Sequence, residues 1–165
     1  MKYTLWDYLK ALASYDVRQI ANLAKLFGML FGSGDLPLHF LKVISFTDSS
    51  HQEALSKPQL LFLYILFTEV FSSHSKEDLR AVFKRGLALR KPGTQGDHSE
   101  DDDDGAPEED KLGDFRRGLS EYLLTKFYLK KKQEGLEADL KEKFKVVFEL
   151  INKQNEGEFI AREVR

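Results

Sequence analysis

The sequence predicts an all-α protein, and three observations carry that prediction. Apolar residues recur at three- and four-residue steps along nearly the whole chain. Capping residues head these runs, and Gly or Pro punctuates them. No run shows the polar–apolar alternation of a half-buried strand. The expected architecture is six or seven helices joined by short connections and arranged as antiparallel pairs. On pattern alone, bundle and solenoid both remain open.

Thr4 caps a short first helix running to about Ala13, and Ser14 or Asp16 caps the second. In the second helix Val17, Ile20, Leu23, Ala24, Phe27, Leu30 and Phe31 share a face that Leu26 and Met29 widen. So wide an apolar arc predicts contact with helices on two sides. Gly32 and Gly34 end this helix, and Pro37 opens a short one through Leu38, Leu41 and Ile44. Thr47 to Ser56 is polar and loop-like.

Pro58 opens the most apolar helix, Gln59 to Phe71. Its unbroken run Leu60 to Phe67 fits a buried strand as well as a helix. The 13-residue length, the leading proline and the lack of alternation decide for helix. Ser75, with Asp78 at capping-box spacing, starts the next helix, whose face is Leu79, Val82, Phe83 and Leu87.

From about Lys91 to Asp110 the chain has two prolines, three glycines and no large apolar residue. Such a stretch buries too little surface to offset its ordering entropy, so a disordered acidic loop at about 91–110 is expected inside a single domain spanning 1–165. The helical pattern resumes at Leu112, Phe115, Leu119, Tyr122, Leu123 and Phe127, and ends among Lys130, Lys131 and Lys132, where cations suit the helix dipole. Beyond Gly135 the last helix has its stripe at Leu136, Leu140, Phe144, Val147, Phe148 and Ile151, with Lys141, Glu142, Lys145 and Glu149 turned away. Because helical pattern starts and stops with the chain, a C-terminal fragment of a larger protein is expected.

The formal charge of −2 is misleading: residues 1–96 carry +4, residues 97–110 carry −9 and residues 111–165 carry +3. A mildly basic body thus holds an acidic insert, which reads as an internal phosphate mimic able to screen the basic face. At 165 residues a real core is available, since a domain of ~150 residues buries roughly 70% of its unfolded surface. The absence of Cys excludes disulfides, thiolate zinc sites and cysteine nucleophiles. The longest apolar stretch has eight residues, far below the ~20 of a membrane span. The N-terminus lacks the pattern of a signal peptide.

Nothing in the sequence predicts catalysis, a metal or a cofactor. His39, His51, His74 and His98 have no paired ligand spacing. Gly28, Gly32 and Gly34 follow a helix, with no Gly-Lys-Ser/Thr after them, so they do not make a phosphate loop. No carboxylate pair sits in an apolar setting that would raise its pKa for acid/base work. A non-enzymatic binding module is therefore expected.

Three features are candidates for interaction. Lys76, Arg80 and Lys84 repeat every four residues, with Arg85, Arg90 and Lys91 nearby, a pattern that suits phosphate, an acidic protein surface or an ordinary solvated helix edge. Ser99, followed by Glu100 and Asp101 to Asp104, is a candidate phosphorylation site for an acidophilic kinase of the casein kinase two type. Lys145, Val146, Val147 and Phe148 match a docking pattern for protein phosphatase one. That mode needs an extended strand, whereas the helical period assigns Val147 and Phe148 to the core.

Arg18, Asn22, Leu23, Leu26, Phe27 and Leu30, followed by Leu36, Leu38, Leu41 and Lys42, carry a further signal. They resemble the R-x-x-x-N-L-x-x-L-[FY]-x-x-L... L-x-L-x-x-L-K pattern of the MA-three type domain. This is a HEAT-like helical module found in initiation factor 4G and in the programmed cell death protein that inhibits translation. The resemblance covers most of the chain outside the acidic stretch and is most specific over the second and third helices. It is similar above all to the version in nucleolar proteins that pair this domain with a middle domain of initiation factor 4G; the splicing factor nucampholin is the nearest competitor.

The resemblance implies a HEAT-like array and a role in the nucleus and nucleolus, in small ribosomal subunit assembly and rRNA processing. It implies a DEAD-box helicase partner resembling initiation factor 4A, bound chiefly through the middle domain. Pre-ribosomal proteins or RNA would be further partners. A splicing role and direct RNA binding through Lys76, Arg80, Lys84 and Arg85 stand as alternatives.

Overall fold

Three helix starts share one local device, written in the sequence as a short polar residue followed three positions later by Gln or Asp. At Asp16 the carboxylate accepts the Gln19 N–H at 2.8 Å and the Gln19 amide oxygen accepts the Asp16 N–H at 2.9 Å. Ser56 and Gln59 repeat this box at 3.4 and 2.9 Å. Ser75 and Asp78 do so at 3.2 Å in both directions. Each box satisfies N–H groups that a helix start leaves without intrahelical partners.

The computed structural model describes residues 2–44, 46, 55–87 and 108–163. They form α1 (Lys2–Lys10), α2 (Val17–Ser33), α3 (Lys57–Ser73), α4 (Lys76–Leu87), α5 (Glu108–Glu121), α6 (Leu129–Gly135) and α7 (Ala138–Glu163). Short 3₁₀ helices take Leu12–Ser14 and Leu38–Val43, and a π-helical segment, Tyr122–Tyr128, joins α5 to α6. No strand occurs among the described residues, and the protein is an all-α helical array.

Several boundaries differ from the sequence reading. α1 runs from Lys2 to Lys10, so Thr4 lies within it and does not cap it, and a 3₁₀ turn follows, closed by the Ser14 N–H on Ala11 O at 2.9 Å. The segment after Pro37 is 3₁₀ and not α, and at six residues it is longer than the usual 3₁₀ run of about three or four. Ser56 caps α3 and does not merely end a loop. α5 begins at Glu108, inside the stretch expected to be disordered; Glu-Glu-Asp is a composition that helix N-termini favour. Residues 91–107 of that expected loop lie outside the described residues, as do residues 88–90 and 47–54.

α3 is the spine. On one side Phe27 of α2 meets Phe62 edge-on at 5.7 Å, and Gly28 leaves room for the Glu69 and Leu66 side chains. On the other, Phe67 lies 5.9 Å from Tyr122, and Phe71 stacks on Phe144 of α7 at 4.5 Å. The π segment explains how Tyr122 and Phe127 both reach this interior, because a five-residue step matches its wider turn. Gly135, at φ 104°, then turns the chain and α7 doubles back, placing Phe144 and Phe148 against Tyr128 at 5.0 and 6.4 Å. Gly86 of α4 lies so close to Leu38 that a Cβ would overlap it.

Two cations are buried among the described residues, and both serve helix C-termini. Arg116 is fully buried and donates to the Leu87 carbonyl at the last residue of α4. Lys143 donates to Phe71 O near the end of α3 at 3.0 Å and pairs with Asp139 at 2.9 Å. Carbonyls at helix ends lack intrahelical donors and carry the negative pole of the dipole, so a cation fits there. Neither residue stood out in the sequence, where each is one charge among many.

Candidate interaction surface

The basic residues of α4 divide into two groups. Lys76, Arg80 and Lys84 lie along one edge at four-residue spacing, whereas the Arg85 guanidinium packs against the Gly34 turn that ends α2. Gly34 is left-handed at φ 85°, and the Leu36 N–H reaches Leu30 O at 3.1 Å to complete that turn. Lys76 pairs with Glu142 of α7, which raises the lysine pKa chiefly through that hydrogen bond. Arg80 and Lys84 are exposed, and no ion pair engages them among the described residues.

α7 supplies the other wall of a shallow groove here: Glu142, Lys145, Val146 and Glu149 face Lys76. The signs alternate along this groove, so it does not form a uniformly positive channel. The four-residue spacing of the α4 cations is visible in the sequence, whereas the acids that α7 brings beside them are not. Arg90, Lys91 and Ser99 lie outside the described residues.

A second cluster gathers around Tyr64. Lys130 and Lys131 place their ammonium groups 4.0 and 4.7 Å from the centre of its ring, and its hydroxyl donates to Glu134 at 2.6 Å. Burial, followed by the Glu134 hydrogen bond, raises the Tyr64 pKa; the same hydrogen bond lowers that of Glu134. These lysines are therefore partly occupied in binding α6 to α3 through cation–π contacts.

The remaining sequence candidates sort as core or cap. Val147 is buried and Phe148 stacks on Phe144 at 5.7 Å within α7, so the phosphatase-like tetrapeptide is helical. The His74 Nδ1 lies 2.9 Å from Val70 O, and its ring fills the space beside Gly32. Among the described residues no three His, Cys, Asp or Glu side chains converge to hold a metal ion. No described helix is long and apolar enough to cross a membrane.

The motif residues of α2 and of the segment after it split by side. Phe27, Leu36, Leu38 and Leu41 are buried, and Leu23 and Leu30 pack partly against the core. Arg18, Asn22 and Leu26 are exposed, with Lys25 and Met29 beside them. α2 packs chiefly on α3, with α4 and Phe40 of the 3₁₀ segment also against it, but the arc expected to widen its contacts is not covered: Leu26 and Met29 face outward.

Comparison with known proteins points the same way as the motif. Over 84 residues, 51% of this chain, the sequence is 29% identical to "Nucleolar MIF4G domain-containing protein 1" of Mus musculus. The match spans 9% of that protein, so this chain corresponds to a small part of its length. No protein-family model matches the chain. No solved structure matches it either.

Proposed function

We propose that this chain is a non-enzymatic protein-interaction scaffold of a nucleolar pre-ribosome assembly factor. The observation that carries this reading is the similarity to a mouse protein whose name places it in the nucleolus and gives it a MIF4G domain. The α2 motif supports the finer assignment to the MA-three type, because its exposed members Arg18, Asn22 and Leu26 are not demanded by core packing. On this reading the protein acts in small-subunit rRNA processing beside a DEAD-box helicase resembling initiation factor 4A.

Affinity purification from cells of the protein that carries this chain tests the proposal. Recovery of a DEAD-box helicase together with early small-subunit factors is the expected result. Recovery of spliceosomal proteins alone would replace it with the splicing reading.

Direct RNA binding is the second reading, and the exposed pair Arg80 and Lys84 favours it. Phosphate contacts release counterions, so such binding weakens steeply with salt. A flat salt response, unchanged by Arg80→Ala with Lys84→Ala, would eliminate it.

A further inference from the structure

Six large hydrophobic side chains stand exposed among the described residues, and α2 holds three of them: Val17, Leu26 and Met29. Leu26 is 45% exposed and Met29 66%, in the middle of a helix whose opposite side buries Ile20, Ala24, Phe27 and Phe31. With 3.6 residues per turn, Arg18, Asn22, Lys25, Leu26, Met29 and Ser33 share one stripe roughly 100° wide.

The charge on this stripe has one sign. α2 contains Arg18 and Lys25 and no acid, while each of the other six α-helices carries at least one. The acids just beyond its ends are engaged locally: Asp16 accepts the Gln19 N–H, and Asp35 accepts the Ser33 hydroxyl at 2.5 Å. No ion pair engages Arg18 or Lys25 among the described residues.

We propose that the outer face of α2 is a docking site for an acidic amphipathic helix of a protein partner. Leu26 and Met29 would meet the partner's apolar stripe, and Arg18 and Lys25 the carboxylates along its rim. A protein fits better than RNA, because two cations neutralise few phosphates and the stripe has no aromatic ring on which a base can stack. Methionine at the contact suits a surface that adapts to a partner's side chains. This surface is independent of the nucleolar reading, so failure of either leaves the other standing.

Met29 supplies the probe, since the chain has only two methionines and the other is Met1. With ¹³C-methyl-methionine label, the protein is titrated with a synthetic amphipathic helix of roughly 18 residues, leucines on one face and glutamates along the rim. A twin peptide has lysines at the rim. The expected result is a saturable shift of the Met29 methyl signal with the glutamate peptide and binding at least about tenfold weaker with the lysine peptide. Leu26→Glu should abolish the shift, and the double variant Arg18→Glu with Lys25→Glu should reverse the preference. Circular dichroism confirms that these surface variants fold.

An unmoved Met29 signal would overturn the proposal, as would equal response to both peptides. A saturable response to single-stranded RNA would reassign the face to nucleic acid. A concentration-dependent shift without peptide would reassign it to a second copy of the chain.

Discussion

The outer face of α2 and the junction of α3, the π segment and α7 both carry large apolar side chains, and these end in opposite states. At the junction, Phe67, Phe71, Phe127 and Phe144 are all essentially buried, each within about one ring width of another. On α2, Leu26 and Met29 lie on the side opposite the buried Ile20, Ala24, Phe27 and Phe31 and remain bare. Amphipathic period says that a face is apolar; it does not say whether this chain covers it. The comparison separates residues that hold the fold from residues it leaves available.

The largest effect should come from opening the closed region. Phe71→Ala removes a ring that meets Phe83, Phe127 and Phe144, and the expected loss is ~3–5 kcal/mol of stability in a denaturant titration. A loss below about 1 kcal/mol would mean that the junction closes over the gap.

Next is the buried guanidinium. Arg116→Met keeps much of the volume but leaves the Leu87 carbonyl without this donor, for an expected loss of about 1–3 kcal/mol. Hydrogen exchange should show the last turn of α4 opening first.

A smaller effect should appear with pH at the start of α4. The Ser75 side chain, with the Ser75 backbone N–H second, lowers the Asp78 pKa. A carboxylate with a depressed folded pKa stabilises the fold above its unfolded value of about 3.9, and this contribution is lost as pH falls through the folded value. Wild type should therefore melt above Ser75→Ala at neutral pH, with the gap narrowing below about pH 4. A gap that widens with acid would contradict this assignment.

The smallest effect belongs to the open face. Met29→Glu should change stability by no more than about 0.5 kcal/mol. A loss as large as that of Phe71→Ala would mean that Met29 is structural, and the contrast between the two regions would collapse.

Much of the fold was legible in the sequence because helices announce themselves locally. The caps at Asp16 and Ser75, the stop at Gly34 and the stripe from Phe144 to Ile151 all depend on neighbours within a few positions. The 3₁₀ and π segments were harder to see. Both are small changes of pitch, and in the π case the five-residue step to Phe127 becomes informative only once the aromatic interior it must reach is known. The candidate site was legible as composition but not as electrostatics: Lys76, Arg80 and Lys84 are visible as a stripe, whereas the answering Glu142 lies 66 residues away from Lys76.

By itself, the sequence determined an all-α chain, the caps of α2 and α4, most of its core residues and the charge carried by each segment. These follow from backbone capping and from a 3.6-residue period, both short-range. Only the tertiary structure decided that Arg116 and Lys143 are buried, that Arg85 turns away from the other α4 cations, and that the Leu26 and Met29 face of α2 stays exposed. Each of these depends on which distant helix arrives alongside. Hydrophobicity is not directional, so the pattern on one helix does not name the element that will cover it.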